Sequence, residues 1–227
     1  MTRIGIIAAL PGELKPLVRG WQHQRSNGVD LWRRHFDEGE WIAACAGAGV
    51  AAATQAFAEI EKLGPITTVI STGWAGALRE ELAPGEAYDV STVIDARTGE
   101  RFIAAGPSKD CWLVTSPCVA DLPEKKRLAS TYEASLVDME AAVVARLAKM
   151  RGIPFYCIKG ISDGYSDQLP DFNRFISPGG QFKLARFVVF AVLRPWYWHA
   201  LIRMGENSRK AARNIAQSVL DFLDEPG

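Results

Sequence analysis

The feature that most constrains the fold is the alternation of short apolar runs with longer helical stretches. The runs at residues 4–9, 67–72 and 155–161 have the length and the β-branched content of buried strands. Between them lie an alanine-rich helical pattern at residues 51–63 and an amphipathic one at residues 140–151. This alternation predicts an α/β chain that forms three α/β/α layers around a central mixed, largely parallel sheet.

The remaining elements fit the same architecture. Further predicted strands are 30–36 and 41–46 around a polar turn at 37–39, 86–94 and 101–105 around a turn at 98–99, and the short runs 112–115 and 136–138. Further predicted helices are 13–19, 181–193 and 196–223. The sequence shows no internal repeat and no low-complexity linker. We therefore expect a single domain over residues 1–227, with apolar C-terminal helices within residues 181–223.

Charge and hydropathy exclude several classes of protein. The 227 residues contain 26 Lys or Arg and 26 Asp or Glu, so the chain has no basic excess with which to hold a nucleic acid. The sequence runs directly into the first strand pattern without a signal-peptide cleavage region. Its apolar runs fall short of the roughly 20 residues needed to span a bilayer. These features predict a cytoplasmic protein.

Cysteine and histidine indicate neither disulfides nor a metal. The four cysteines, Cys45, Cys111, Cys118 and Cys157, include no C-x-x-C pair and lie in apolar stretches, which favours buried free thiols. His23 and His35 have no acidic or cysteine partners at ligand spacing, and we expect His199 to be structural. We predict no metal site and no cofactor.

Carboxylates follow three of the predicted strands. Glu13 comes shortly after the first strand, Asp138 and Glu140 follow the short strand 136–138, and Asp163 follows the last buried strand. Because ligands of open α/β sheets bind at the carboxyl ends of strands, we expect these acids to share one site. Each acid alone is also explained as a helix cap or a solvated side chain.

The same positions carry a family resemblance. Residues 4–13, IGIIAALPGE, resemble the start of methylthioadenosine/adenosylhomocysteine nucleosidases, and residues 71–78, STGWAGAL, resemble their glycine-rich strand-end loop. Residues 137–142, VDMEAA, resemble the ribose-binding motif of the wider nucleoside phosphorylase/nucleosidase family, and residues 161–163, ISD, resemble its base-binding motif. The motifs occur in the family's order over about the first 165 residues. The resemblance implies the family's fold, an adenosine-type purine nucleoside as substrate and a homodimer.

It also implies a role for each residue. Asp163 would arrive protonated and deliver its proton to N7 of the purine, and Glu13 would orient and deprotonate the attacking water. Glu140 would bind the ribose hydroxyls, with Met139 against the apolar sugar face. Because residues 116–120 contain no aromatic side chain, the base would rest on Val119. The expected substrate-binding residues are Glu140, Met139, Asp138, Ser162, Gly73, Ser71 and Val119.

The nucleophile can be argued from the residues. Phosphorylases of the bacterial trimeric and hexameric type place an arginine and a serine where this chain has Ser71 and Trp74, which favours water over phosphate. Trp74 would either fill the space of a phosphate or pack in the core. Lys15 and Arg19 are alternative phosphate ligands, although a solvated helix face explains them better. Phosphorolysis and non-catalytic nucleoside binding stay open as alternatives.

The C-terminal third departs from the common family pattern. Residues 169–172, 178–180 and 194–198 resemble hopanoid-associated phosphorylase-like proteins, which are thought to remove adenine from adenosylhopane. The resemblance implies a 5′-substituted adenosine as substrate and an apolar exit groove. The aromatic stripe around Trp196 and Trp198, beside Arg186, Arg194 and Arg203, is also suited to contact with a membrane surface. The alternative is that this stripe packs on the sheet or forms a dimer interface.

Overall fold

The structure, a computed structural model, describes residues 2–36, 39–106, 110–167, 170–175, 177 and 183–224. The predicted turn residues 37 and 38, and residues 169 and 178–182 of the predicted C-terminal segments, lie outside the described part. The strands are β1 (Thr2–Ala8), β2 (Gln22–Ser26), β3 (Val29–Phe36), β4 (Gly39–Cys45), β5 (Thr68–Ala77), β6 (Ala87–Asp89), β7 (Thr92–Asp95), β8 (Arg101–Ile103), β9 (Trp112–Thr115), β10 (Leu136–Asp138) and β11 (Phe155–Asp163). The helices are α1 (Pro11–Leu14), α2 (Val50–Glu61), α3 (Leu122–Tyr132), α4 (Ala141–Arg151), α5 (Leu184–Val192) and α6 (Trp198–Asp224), with short 3₁₀ helices at Phe172–Phe175 and Pro195–Tyr197.

The eleven described strands form one mixed sheet, as predicted. The order is β2-β3-β4-β1-β5-β10-β9-β7-β8, and β11 lies on the other edge of β5 and pairs with β6. Parallel pairs make the centre, where β4, β1, β5 and β11 run together, and a second parallel group joins β10, β9 and β7. The outer pairs are antiparallel, and so is the pair of β5 with β10 that joins the two groups.

Strand β5 has a break along one of its edges. On that edge β1 pairs with β5 as far as Ser71, and β10 pairs with Gly76 and Ala77. Strand β11 follows the opposite edge from Val69 to Gly76. Residues 72–75 therefore have no strand partner on the first edge among the described strands. We call this stretch the β5 gap.

Alternating side chains of the sheet build the three layers. Ile7 packs on one side in a cluster with Phe57 of α2 and Val144 of α4. Its neighbour Ile6 packs on the other side with Leu14 of α1 and Ile215 of α6. Because successive side chains of a strand point to opposite faces, one central strand holds both helical layers. The predicted α/β/α architecture is confirmed.

Several predicted boundaries were wrong. The helix expected at 13–19 ends at Leu14, because Pro16 has no amide to continue the hydrogen-bond pattern. The glycine-rich stretch 73–76, expected as a loop, continues β5 because β11 pairs with it. The strand expected at 86–94 is two strands. Between them the amides of Val90 and Ser91 bond to Cys157 O and Cys111 O, so the chain crosses from β11 toward β9.

Two elements and one thiol were not anticipated. Strand β2 and helix α3 had no predicted counterpart. Helix α3 begins with the side chain of Asp121 accepting a hydrogen bond from the amide of Glu124, a cap that its spacing could have indicated. Cys45 and Cys157 are buried free thiols as expected, whereas Cys118 is exposed, because it lies in the irregular segment before α3.

Candidate active site

Backbone amides hold both carboxylate oxygens of Glu13. Oε2 accepts a hydrogen bond from the amide of Leu10 at 2.7 Å, and Oε1 accepts one from the amide of Trp74 at 2.8 Å. The second bond lies in the β5 gap, so a side chain takes the place of a strand partner. Gly73 leaves room for this contact: its φ is +124°, and a Cβ there would lie 2.9 Å from Oε1 of Glu13. Glu13 is buried, and burial raises its pKa although these amides oppose the shift.

Glu140 reaches the same stretch of β5 from the other direction. Because β10 runs antiparallel to β5, its continuation returns alongside the gap. Oε1 of Glu140 accepts a hydrogen bond from the amide of Gly49, at the start of α2, over 2.6 Å. Burial, and next the charge of Asp138, raise the pKa of Glu140 to about 8. Glu13 adds to this rise, so the two glutamates are close enough to interact.

A buried lysine lies among these acids. Nζ of Lys159 is 2.9 Å from Oδ2 of Asp138 and donates to Thr72 O at 3.1 Å. The other contacts of Asp138 come from the hydroxyl of Thr115 and the amide of Ala141. Asp138 therefore caps α4, and its oxygens are occupied by protein donors. Burial alone would lower the pKa of Lys159, but the nearby carboxylates outweigh it and raise the pKa.

A second lysine holds Asp163. Oδ1 of Asp163 accepts a hydrogen bond from the hydroxyl of Ser162 at 2.6 Å, and Oδ2 forms an ion pair with Nζ of Lys125. Lys125 also donates to Gly164 O at 2.7 Å. Both lysine and aspartate are largely buried, with the aspartate on the more open side.

The end of β5 brings the three predicted acids together. Gly73 faces Glu13, and a Cβ on Gly76 would lie 3.1 Å from Oδ2 of Asp163. Three residues along a strand span roughly 10 Å, which is the scale of a nucleoside. Glu140 lies two residues beyond β10, whose Val137 pairs with Gly76, and the charge of Glu13 acts on its carboxyl. The acids expected to share one site therefore surround one short segment of backbone.

One cavity in the described part of the chain lies away from these acids. A cavity of about 190 Å³ opens beside the start of β11 and is lined by Asp89, Gly106, Tyr156, Cys157, Ile158, Ser218, Asp221 and Phe222. It contains none of the acids held at β5. We place the candidate site at β5, because buried carboxyls with raised pKa values that gather at a strand end mark a candidate functional site.

The other residues predicted for the site occupy varied positions. The hydroxyl of Ser71 is buried one residue before the gap and finds no hydrogen-bond partner among the described residues. Met139 is half-buried next to Glu140. Both backbone polar groups of Val119 are paired with the side chain of Asn173, at 2.8 and 3.0 Å. The segment before α3 is thus tied to the 3₁₀ helix at Phe172–Phe175.

The ring of Trp74 lies between α6 and Gly12, where a Cβ would be 3.2 Å from its Cη2 atom. Its ring joins the cluster that β1 and α6 form, and its Nε1 donates to Ser208 O on α6 at 3.0 Å. Of the two interpretations that the sequence left open, packing in the core fits this position. Lys15 and Arg19 are exposed, as a solvated face requires. In the part of the chain that the structure describes, no group of three or more His, Cys, Asp or Glu is placed to hold a metal ion.

Sequence reasoning missed Lys125, Lys159 and Asn173. Lys159 carries a detectable signal, because it interrupts the apolar run of β11 and a lysine there must find a buried partner. Lys125 could not be recognised without α3, which places it on the inner side of a helix whose other lysine, Lys126, is exposed.

Comparison with known proteins identifies relatives of this chain. A curated 5′-methylthioadenosine/S-adenosylhomocysteine nucleosidase of Shewanella halifaxensis is 26% identical over 230 residues, which cover 85% of this chain and 99% of that protein. The crystal structure of a Helicobacter pylori nucleosidase of that name, with butyl-thio-DADMe-Immucillin-A, has a TM-score of 0.74 at 18% identity and covers 100% of this chain and 99% of that chain. A Helicobacter pylori futalosine hydrolase mutant has a TM-score of 0.75 at 16% identity, with 100% of both chains covered.

The fold of the chain is therefore that of these enzymes. The sequence profile described as the phosphorylase superfamily matches residues 3–110 and 111–188, which is most of the chain. The chain belongs to the phosphorylase superfamily.

Proposed function

We propose that the protein hydrolyses the N-glycosidic bond of an adenosine-type purine nucleoside and releases the free base. The observation that carries this proposal is the gathering of Glu13, Glu140 and the Asp163–Lys125 pair around residues 72–76 of β5. Each group is held by named donors, and two of the carboxyls have raised pKa values. The names of the relatives, a nucleosidase and a hydrolase, support the same reaction class.

Asp163 and Lys125 act at the base. Cleavage sends the electron pair of the C1′–N9 bond into the purine, and a proton at N7 stabilises that charge. Nζ of Lys125, which forms an ion pair with Oδ2 of Asp163, can supply the proton that this carboxylate delivers to the base. We therefore assign the stored proton to Lys125. Lys125 transfers this proton to the carboxylate of Asp163, which delivers it to N7 as the base becomes negative, and Lys125 is left as a neutral amine.

Glu140 and Glu13 act at the sugar. The carboxyl of Glu140 accepts hydrogen bonds from the ribose hydroxyls and, when ionised, stabilises the positive charge that develops on the sugar. Met139 packs against the apolar ribose face. Glu13 orients a water molecule and takes its proton while the water oxygen bonds to C1′. Its raised pKa makes the ionised carboxylate a stronger base than an exposed glutamate. Asp138 and Lys159 are positioning residues for Glu140.

Water is a better nucleophile for this site than phosphate. A phosphate needs cations with free donors, yet Lys159 and Lys125 are both engaged by aspartates and backbone carbonyls. The carboxylate of Glu13 would also repel an anion. Phosphorolysis by the same residues is the alternative that experiment must exclude.

The reaction is tested by incubating the purified chain with adenosine, methylthioadenosine and adenosylhopane, with and without phosphate, while adenine is measured. We expect adenine release that does not depend on phosphate. Adenosylhopane is in the panel because residues 194–198 resemble hopanoid-associated proteins. Release that rises with phosphate would replace hydrolysis by phosphorolysis. Binding of these nucleosides without any release would leave a non-catalytic binding protein.

Two variants test the assigned roles. Asp163→Asn should lower kcat about a thousandfold while sparing ligand binding, because the amide cannot carry the proton. Glu13→Gln should lower kcat by a similar factor. Asp110→Asn and Glu80→Gln make the same chemical changes at exposed positions and should leave kcat unchanged. Normal turnover in either site variant would remove that residue from the mechanism.

We also propose that the protein is a homodimer and that it is located in the cytoplasm. The homodimer follows from the resemblance to nucleosidases. Sedimentation velocity of the purified chain tests the dimer, and fractionation of cells that express it tests the location.

A further inference from the structure

Helix α5 is apolar on two faces. On its inner face Phe187 and Phe190 contact the ring of Phe175, with centroids 5.5 and 5.1 Å apart. On its outer face Val189, Val192 and Leu193 are between 61 and 68% exposed. A helix that is apolar all round is normally covered on every side. The outer face of α5 is not covered by the described part of this chain.

The apolar exposure continues beyond α5. Among the described residues ten large apolar side chains are exposed, and six of them fall within residues 189–202. These six are Val189, Val192, Leu193, Trp196, Trp198 and Ile202, and we call them the outer α5–α6 face. Scattered exposed apolar residues need no explanation, but a contiguous group of this kind indicates an interaction surface.

The charged residues within this segment of the chain are all basic. Residues 183–205 contain Lys183, Arg186, Arg194 and Arg203 and no Asp or Glu, although the whole chain has no net charge. Arg203 is partly neutralised by Asp167 at 2.5 Å, and the guanidinium of Arg194 lies 4.1 Å from the ring centroid of Phe190. Lys183 and Arg186 are exposed. The partner of this face must therefore accept apolar side chains and supply negative charge.

We infer that the outer α5–α6 face docks on the surface of a lipid bilayer that contains anionic lipids. Tryptophan and aliphatic side chains enter the boundary between head groups and acyl chains, and Lys and Arg meet the anionic head groups. Within the described residues no helix is long and apolar enough to cross a bilayer, so the contact lies in the plane of the interface.

A second copy of the chain fits this face less well. A two-fold interface would place the four basic residues of one copy opposite the same four of the other, with no acid from the segment between them. An anionic bilayer supplies the missing charge. The inference is independent of the proposed reaction, because it needs only the exposed side chains and their charges.

The location of the face has a consequence for the candidate site. Helix α5 packs on the 3₁₀ helix that contains Phe172 and Phe175. Asn173 of that helix holds Val119, in the segment predicted to contact the base. Only this short helix therefore separates the docking face from the segment beside the site.

Vesicle flotation of the full chain tests the inference. We expect binding to vesicles of mixed phosphatidylcholine and phosphatidylglycerol, and much weaker binding to vesicles of phosphatidylcholine alone. Arg186→Gln should weaken binding to the mixed vesicles about five-fold, the effect of one basic residue at an anionic surface. Trp196→Ala should weaken it about tenfold, because a large apolar side chain no longer leaves water.

Matched variants control for surface changes in general. Arg25→Gln and Ile103→Ala remove an exposed arginine and an exposed apolar side chain far from α5, and neither should alter binding. Circular dichroism confirms that each variant is folded. Failure of the folded wild-type chain to float with mixed vesicles overturns the inference. The inference is also overturned if the wild type binds no vesicles but self-associates, and Trp196→Ala abolishes the self-association. The face would then join two copies of the chain. Neither result bears on adenine release.

Discussion

Two lysine–aspartate pairs lie at opposite ends of the same short stretch of β5, and they differ in enclosure. The side chains of Lys159 and Asp138 are 1% and 0% exposed, and both oxygens of Asp138 have further protein donors. The side chains of Lys125 and Asp163 are 3% and 13% exposed. The first pair is closed on all sides, whereas the aspartate of the second is accessible from one.

We propose that the closed pair has a structural role and the open pair a chemical one. A closed pair whose donors and acceptors are satisfied has nothing left to offer a ligand, and it is costly to disturb because either charge alone would be stranded. A pair with one open side can exchange partners when a base arrives. The sequence motifs made Asp163 the proton donor and Asp138 a substrate-binding residue. We propose a structural role for Asp138 instead, because protein donors occupy both of its oxygens.

The largest effect expected from this comparison concerns the closed pair. Lys159→Met should lower the free energy of unfolding by about 4 kcal/mol, because it leaves the charge of Asp138 buried without its partner. Urea unfolding measures the change. Lys15→Met, at an exposed position, should cost well under 1 kcal/mol. The double variant Asp138→Asn/Lys159→Met should recover part of the loss. A Lys159→Met protein as stable as the wild type would mean that the closed pair is not structural.

A substitution in the open pair, Lys125 and Asp163, should affect kcat more than the free energy of unfolding. Lys125→Met should lower kcat about a hundredfold, the usual size of a proton-transfer contribution, and should alter the pH profile of kcat. Its neighbour Lys126 is exposed, so Lys126→Met serves as the matched control. Unfolding should change less than in Lys159→Met. An unchanged kcat and pH profile, combined with a loss of stability equal to that of Lys159→Met, would make both pairs structural.

A third prediction concerns Glu140, whose pKa is raised in part by Asp138 of the closed pair. The pKa of Glu140 is about 8 in the folded protein, against an ordinary value of 4.5 that applies to the unfolded chain. Between these pH values the folded state therefore binds one more proton than the unfolded state. Stability therefore falls as pH rises through this window. Glu140→Gln, which still accepts from the amide of Gly49, should be on the order of 2 kcal/mol more stable than the wild type above that window. Thermal unfolding across pH measures it, and parallel curves for the two proteins would contradict the assignment.

The smallest effect concerns the strand between the two pairs. Trp74→Phe removes the hydrogen bond from Nε1 to Ser208 O and should cost about 1 kcal/mol in urea unfolding. Base release should stay independent of phosphate, because the ring packs toward α6. If the variant instead gains a phosphate-dependent activity, the ring must exclude phosphate from the site.

Sequence patterns predicted the layered fold well because they report burial. The β-branched runs of β1, β5 and β11 and the apolar stripe of α4 depend on local composition, and each was located to within a few residues. The acids Glu13, Glu140 and Asp163 were identified through motifs, and the structure brings them to one segment of backbone. Their roles in binding and catalysis are still proposals.

The missed features depend on contacts between distant parts of the chain. That β10 runs antiparallel to β5, and so returns Glu140 to the gap, is a matter of topology that no local pattern records. The same holds for the pairing of Lys125 with Asp163, which are 38 residues apart. An acid after a strand looks identical in sequence whether a lysine neutralises it or not.

The β5 gap also provides a spectroscopic reporter of the site. The amide proton of Trp74 is bound by the side chain of Glu13 and not by an adjacent strand. Its nitrogen chemical shift should therefore follow the ionisation of that glutamate, and its exchange with deuterium should slow or quicken as a nucleoside enters or leaves. The resonance of this one amide would thus report the ionisation of Glu13, the proposed general base, without any assay of turnover.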